Sequence, residues 1–163
     1  MLPFLPPASM QAPAPAIPGT VEIRPGLFVV QGAPTPATFA ALKAGGVTQV
    51  FNLRTDAEGD FTFEAAGSAA AGAAYTRCPV DHTMDAAALD AFRAKFRALP
   101  AGARVLVHCA SGNRAAAALL AAWVLDGRMP LAEARSLARK AGLTKTPLEA
   151  AVLAYIRERQ AAP

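Results

Sequence analysis

The stretch Val105-Leu-Val-His-Cys-Ala-Ser-Gly-Asn-Arg114 decides how this chain of 163 residues is interpreted. The apolar residues before His108 predict a short buried strand. The strand leads Cys109 into a turn, and the Ala-rich run after Arg114 predicts a helix. Unpaired backbone N–H groups converge at the start of a helix, where the helix dipole adds partial positive charge. The turn is therefore suited to binding an oxyanion.

The polar residues of this turn fit the same chemistry. A thiol at a helix start is shifted toward thiolate, which makes Cys109 a candidate nucleophile. Gly112 permits a backbone conformation that other residues resist. Arg114 can clamp two oxygens of a bound anion with its planar guanidinium. The predicted anion-binding residues are Ala110, Ser111, Gly112, Asn113 and Arg114. The alternative is a structural cysteine at a strand end, with an arginine on the surface.

Outward from this stretch, the chain alternates between strands and helices. Short β-branched or aromatic runs indicate strands, and caps such as Thr35-Pro36 and Asp85 indicate helix starts. This alternation favours an α/β fold with a central, mostly parallel sheet flanked by helices and a C-terminal helical cluster. The predicted strands cover residues 27–30, 47–53, 75–80 and 104–108, and the predicted helices cover 36–45, 63–71, 86–99, 114–126, 131–141 and 146–159.

Composition favours a single globular domain. Hydrophobic residues make up 53% and charged residues 17%, so there is enough apolar material for a core. Residues 1–19 are rich in Pro and Ala and predict a flexible tail, which leaves residues 20–160 as one catalytic domain. The longest apolar run, 115–125, is shorter than the roughly 18 residues of a membrane span. The net charge of +4 is scattered, and we expect no nucleic-acid surface.

The two cysteines, Cys78 and Cys109, are too few for a disulfide framework, and the chain lacks the paired ligand spacings of a zinc site. We expect neither a metal nor a cofactor. Cys78 fits a buried apolar position, and a disulfide with Cys109 under oxidation is the alternative. A reactive thiolate favours the reducing cytoplasm. A periplasmic or exported location is the alternative if the N-terminal tail is what remains of a signal.

The motif His108-Cys109-x-x-Gly112 followed by Arg114 resembles the phosphate-binding loop of cysteine-dependent phosphatases of the tyrosine and dual-specificity type. Val50-Phe-Asn-Leu-Arg54 is similar to the V-x-N-L-R strand of the dual-specificity-like members. Over residues 20–158 the chain resembles the small bacterial group called beta-lactamase-hydrolase-like phosphatases. The resemblance implies hydrolysis of phosphate monoesters, phosphotyrosine among them, through a cysteinyl-phosphate intermediate. The expected partner is a phosphorylated or other oxyanionic substrate.

The resemblance also suggests a general acid for the leaving oxygen. Tyr75–Asp81 is similar to the strand that leads to the general-acid loop of these phosphatases, and Asp81 precedes Cys109 by 28 residues. Asp85 is the rival, although it also fits a helix N-cap. His82, next to Asp81, is interpreted as a surface histidine.

The resemblance gives supporting roles to two further residues. His108 supports the loop and the thiolate and is not a base. Arg54 is expected to form a structural ion pair. Asp56 and Glu58 follow the V-x-N-L-R strand and can line the mouth of the site, without an assigned role.

Two departures from the family pattern keep other functions open. The loop is Cys-x4-Arg, one residue shorter than the usual Cys-x5-Arg. Six residues is the loop length of rhodanese-type sulfurtransferases, in which the cysteine carries a persulfide, so sulfur transfer by Cys109 is the first alternative. Ala115 stands where the family commonly has Ser or Thr, which helps the cysteine to leave. A non-catalytic anion-binding module is therefore the second alternative.

Overall fold

A mixed five-stranded sheet and six α-helices form the part of the chain described by the computed structural model, residues 16–163. The strands are β1 (Thr20–Arg24), β2 (Leu27–Val30), β3 (Gln49–Asn52), β4 (Ala74–Arg77) and β5 (Val105–His108). The helices are α1 (Pro36–Ala40), α2 (Thr62–Ala70), α3 (Ala86–Arg97), α4 (Asn113–Leu125), α5 (Leu131–Ala141) and α6 (Thr146–Ala161), and one 3₁₀ turn covers Asp56–Glu58.

The sheet has the strand order β1-β2-β5-β3-β4. β1 runs antiparallel to β2, and the other neighbours are parallel, so the predicted α/β class and its mostly parallel sheet are confirmed. Parallel strands bring the carboxyl ends of β2, β5, β3 and β4 to one edge of the sheet. The loops that follow these four strands therefore lie together.

Strand β1 is the element that the sequence did not predict. Its segment Thr-Val-Glu-Ile-Arg is half polar, and Ile23 is its one buried residue. It pairs with a single neighbour through the turn at Gly26, whose N–H donates to the Glu22 carboxylate at 2.9 Å. An edge strand with so little buried apolar surface has no clear sequence signal.

Helix α1 begins as predicted and ends earlier. Thr35 is its N-cap, and the Thr35 hydroxyl accepts from the N–H of Thr38. The helix ends at Ala40 rather than near Gly45, because the chain turns through residues 41–46 and reaches a left-handed conformation at Gly46. The other helices lie within two or three residues of the predicted bounds.

The core has two layers because neighbouring strand residues point to opposite faces of the sheet. One layer includes Phe51 and Val107 and is covered by α3 to α6. The other includes Val50 and Leu106 and is covered by α1 and α2. Helix α4 is the central helix: all its residues from 113 to 124 are buried, and it packs against α3, α5 and α6.

Most of the tail predicted over residues 1–19 lies outside the described residues. The structure describes 16–19, and there Ile17 is buried in the layer under α1. The Pro18 carbonyl accepts from the Thr38 hydroxyl at 3.1 Å. At these last positions the chain is therefore packed against the domain. No helix in the described range has the length and hydropathy to cross a membrane.

Candidate active site

Cys109 follows β5 at the sheet edge where the parallel strands end, and it is fully buried. Ala110 and Ser111, the next two residues, are exposed and form the mouth of the loop. Gly112 is the N-cap of α4. The first three helical amides of α4, from residue 113, have no acceptor one turn earlier in the helix. These N–H groups and the helix dipole supply positive potential at the loop.

Gly112 closes the loop around the sulfur. Its N–H donates to Cys109 Sγ at 3.2 Å. Its φ is +89°, in the left-handed region. A Cβ at this position would lie 3.0 Å from the Val30 carbonyl oxygen at the end of β2. Both the conformation and the space therefore require glycine.

Arg114 is buried at the start of α4, and its guanidinium is held by two fixed acceptors. Nη1 donates to Glu58 Oε2 at 2.8 Å and to the Val80 carbonyl at 3.0 Å, and Nη2 donates to Glu58 Oε1 at 2.5 Å. A guanidinium has five N–H bonds. Those that remain are Nε–H and one Nη2–H, which share one edge of the plane. After Glu58, the nearby Cys109 also raises the pKa of Arg114, and the free edge of the guanidinium can hold two oxygens of an anion.

Glu58 reaches Arg114 from the 3₁₀ turn after β3. Thr55 fixes its position, because the Thr55 N–H donates to Glu58 Oε2 at 2.6 Å. The hydrogen bond from Arg114 lowers the pKa of Glu58 to about 2, with further lowering by Thr55. Glu58 is therefore a carboxylate at neutral pH and serves to orient Arg114. In return it raises the pKa of Arg114, which stays charged.

Asp81 lies one residue beyond the carbonyl that Arg114 binds, on an exposed loop. Its Oδ1 accepts from the N–H of Thr83 at 2.9 Å and from the Thr83 hydroxyl. These bonds, that from the hydroxyl first, lower the pKa of Asp81. Asp85 instead caps α3: its Oδ2 accepts from the N–H of Ala88 at 3.1 Å. The cap occupies Asp85, whereas Asp81 lies on the exposed loop next to Val80, whose carbonyl binds Arg114.

His108 is fully buried at the end of β5, behind the loop. Its Nε2 lies 3.0 Å from Glu64 Oε2, and its Nδ1 lies 3.5 Å from the Cys109 carbonyl oxygen. Glu64, fully buried on α2, also accepts from Tyr75 at 2.9 Å and from Arg54. Burial and the nearby positive charge of Arg54 lower the pKa of His108 to about 3, so the imidazole is neutral. The expected ion pair of Arg54 is thus with Glu64.

Asn113 anchors the loop to the C-terminal helices. Its Oδ1 accepts from the N–H groups of Thr144 and Lys145 at 2.8 and 2.9 Å, in the connection between α5 and α6. Its Nδ2 donates to the Ser111 hydroxyl at 3.3 Å. The side chain of Asn113 therefore faces the protein, and its backbone N–H remains for an anion.

The sequence left two acidic residues of this region without a role. Glu58 was expected near the mouth, but nothing local shows that it pairs with Arg114. Glu64 was not predicted to have a role. The sequence feature that could have indicated one is a single carboxylate in a helix of otherwise small or apolar residues. Cys78 is buried as expected, and burial raises the pKa of its thiol. Since β3 separates β4 from β5, Cys78 and Cys109 lie about two strand spacings apart, roughly 9–10 Å, too far for a disulfide without backbone movement.

The comparisons with known proteins place the fold. No protein-family model and no curated protein matches the chain. A DUF442 protein from Shewanella putrefaciens CN-32, described as a candidate phosphatase, matches with a TM-score of 0.69 and 26% identity over 87% of this chain and 93% of that one. TpbA from P. aeruginosa, in complex with phosphotyrosine, matches with a TM-score of 0.65 and 19% identity over 90% and 87%.

A yeast structure extends the comparison. The catalytic core of the PP-IP phosphatase SIW14 from S. cerevisiae matches with a TM-score of 0.66 and 11% identity over 84% of this chain and 85% of that one. These likenesses show that the chain has the fold of the protein-tyrosine-phosphatase-like phosphatases.

Proposed function

We propose that this chain is a cysteine-dependent phosphatase that hydrolyses phosphate monoesters, aryl esters such as phosphotyrosine among them. The observation that carries the proposal is the guanidinium of Arg114, fixed by Glu58 and the Val80 carbonyl at the start of the helix that follows Cys109, with one edge free of protein acceptors among the described residues. Within the fold, the Cys-x4-Arg loop supports membership of the beta-lactamase-hydrolase-like group. SIW14, TpbA and the DUF442 protein support phosphatase chemistry in general.

The first chemical step transfers the phosphoryl group to sulfur. The Cys109 thiolate attacks phosphorus, an S–P bond forms, and the P–O bond to the leaving group breaks. Arg114 and the loop amides hold the three non-bridging oxygens, whose negative charge is stabilised in the transition state. Asp81 gives its proton to the leaving oxygen.

The second step restores the enzyme. Asp81, now a carboxylate, takes a proton from a water molecule that attacks phosphorus. The P–S bond breaks, inorganic phosphate forms, and the electron pair returns to Cys109 as thiolate. The N–H of Gly112, 3.2 Å from the sulfur, stabilises this thiolate as it leaves, at a site where Ala115 offers no hydroxyl.

The test is hydrolysis of p-nitrophenyl phosphate from pH 5 to 8 without added metal. The wild-type protein is compared with Cys109→Ser and with Cys78→Ser, which changes the other cysteine, directly after β4. We expect turnover in the wild type and in Cys78→Ser, and none in Cys109→Ser. A phosphoryl adduct on Cys109 in rapidly quenched wild-type protein would support the covalent step. Equal turnover in Cys109→Ser would overturn the proposal.

The short loop favours one second candidate, a sulfurtransferase with a Cys109 persulfide. Its distinguishing result is the intact mass after treatment with thiosulfate or a persulfide donor. One added sulfur that is absent from Cys109→Ser, together with no phosphatase turnover, would favour sulfur transfer. Phosphate binding with neither activity would favour the anion-binding module.

A further inference from the structure

A buried carboxylate lies behind the phosphate-binding loop, where it touches neither the sulfur nor Arg114. We propose that Glu64 is a positioning residue: it holds the ring proton of His108 on Nε2 and thereby fixes the imidazole against the Cys109 peptide. The proposal rests on the phosphatase function for its catalytic consequence. Its structural content can be tested without turnover.

The hydrogen bonds around Tyr75 show that Glu64 acts as an acceptor. Asn52 Nδ2 donates to the Tyr75 hydroxyl at 2.9 Å, so that hydroxyl uses its own proton to donate to Glu64 Oε2, also at 2.9 Å. Arg54 donates to the other carboxylate oxygen. An arginine cannot accept a hydrogen bond. Both oxygens of Glu64 therefore receive protons from neighbours, which is the pattern of an ionised carboxylate.

The contact with His108 then determines which ring nitrogen carries the proton. Nε2 lies 3.0 Å from Glu64 Oε2, with both side chains fully buried. Without a proton between them, two lone pairs would face each other in a medium of low dielectric constant. The Nε2–Oε2 contact is not aligned as a good hydrogen bond, but Nε2 has no other polar partner among the described residues. The proton is therefore on Nε2.

The opposite ring nitrogen faces the loop. Nδ1 lies 3.5 Å from the Cys109 carbonyl, beyond the usual hydrogen-bond range of about 2.7–3.2 Å. A neutral imidazole has one ring proton, so with Nε2 protonated Nδ1 has none to donate. The Cys109 peptide is thus left free of a hydrogen bond that would draw it toward the ring. Glu64, Arg54 and Tyr75 come from three different segments, and together they hold His108 in this state.

The tautomer can be read directly by long-range ¹H–¹⁵N NMR of the imidazole rings. The chain has two histidines, and a His82→Gln variant assigns the signals of His108. We expect the Nε2–H form in the wild type. In Glu64→Gln the new amide N–H₂ can face Nε2, so we expect the ring to change to the Nδ1–H form. Tyr75→Phe keeps the carboxylate and is the matched control, in which the Nε2–H form should persist.

Kinetics give the catalytic half of the test. We expect Glu64→Gln to lower kcat about tenfold with little change in KM, because binding by Arg114 is intact and the sulfur is misplaced. If Glu64→Gln does not fold, Glu64→Asp takes its place. This variant keeps the charge and should retain the Nε2–H tautomer. An Nδ1–H ring in the wild type, an unchanged tautomer in Glu64→Gln, or a changed tautomer with unaltered kcat would each overturn the proposal. If the wild type hydrolyses no phosphate ester, the NMR result still decides the role of Glu64 toward His108.

Discussion

At the scale of single residues, the site depends on which N–H donors of the buried Arg114 remain free after its hydrogen bonds to the protein. Glu58 and the Val80 carbonyl take three of the five N–H bonds of Arg114, and the remaining edge is the one that the proposed mechanism uses for the oxyanion. An arginine at the start of a helix has many rotamers, so its direction requires such partners. The pre-set direction reduces the reorganisation needed when the substrate binds.

Replacing Glu58 by Gln should therefore impair catalysis through Arg114. The amide can accept one N–H of the guanidinium and cannot match both, and we expect kcat/KM to fall roughly 10-fold to 100-fold. Steady-state kinetics with an aryl phosphate would measure the change. Asp56→Asn is the control, because Asp56 lies on the same turn as Glu58 but is exposed and pairs with Arg77 of β4. A Glu58→Gln enzyme as active as Asp56→Asn would contradict the orienting role.

Asp81 should show its role in the pH dependence of turnover. The Thr83 hydroxyl is the largest cause of its lowered pKa, so Thr83→Ala should raise the pKa of Asp81. The acid form is the active one in the first step, and activity falls as pH rises through this pKa. The kcat/KM profile is measured from pH 3 to 8, because the pKa of Asp81 is lowered, and its falling limb should move to higher pH in Thr83→Ala. In Asp81→Asn that limb should disappear, and an unchanged profile in both variants would exclude Asp81 as the acid.

At the scale of the elements, local signals predict what local interactions determine. Thr35 and Asp85 cap helices as their sequence contexts indicate, and α5 has the bounds that were expected. The strand, turn and helix around Cys109 were predicted because their signal lies within ten residues. The sequence did not predict strand β1 or the side chains that pair with Arg114 and His108. Each of these depends on contacts between residues that are distant in sequence.

The junction of β5 and α4 provides a test of one glycine. Gly112→Ala should destabilise the fold by about 1–2 kcal/mol for the left-handed backbone, and further for the close approach to the Val30 carbonyl. Gly102→Ala is the matched control, since Gly102 has φ +78° and a Cβ there would meet no other atom within 4 Å. Urea unfolding of both variants separates backbone strain from crowding. Equal losses of stability would show that the contact with Val30 is unimportant.

At the scale of the whole molecule, an ion-pair network joins α3, α6 and the end of α4. Arg93 donates to Asp126 at 2.7 and 2.9 Å and to the Tyr155 hydroxyl at 2.9 Å. Asp90 accepts from Tyr155 and from Arg159. The network holds the outer helices around α4, whose first turn carries Arg114. Stability of the helical layer and geometry of the site are therefore coupled.

This network predicts how stability depends on pH. The hydrogen bond from Arg159 lowers the pKa of Asp90 to about 2. Burial acts to raise the pKa of Asp126, but hydrogen bonds from Arg93 and Arg97 outweigh it and lower that pKa. Both groups have lower pKa values when folded, so their contribution is present above the unfolded value near pH 4 and is lost as pH falls through the folded pKa values, which for Asp90 is about 2.

Asp126→Asn measures that contribution. The free energy of unfolding should be lower in Asp126→Asn than in the wild type. The difference should be largest at pH 6–7 and should decrease toward pH 3. Chemical denaturation at several pH values gives the comparison, with Glu133→Gln on the exposed side of α5 as the control. A loss that stays constant from pH 7 to pH 3 would mean that the carboxylate charge contributes nothing.

The link between Asn113 and the connection from α5 to α6 also has a consequence for biosynthesis. The Asn113 carboxamide binds two backbone N–H groups that are made some thirty residues later, at Thr144 and Lys145. A nascent chain that has not reached these residues contains Cys109 and Arg114 without the anchor that holds their loop. We therefore expect the thiolate site to mature late in translation, after the central sheet has formed.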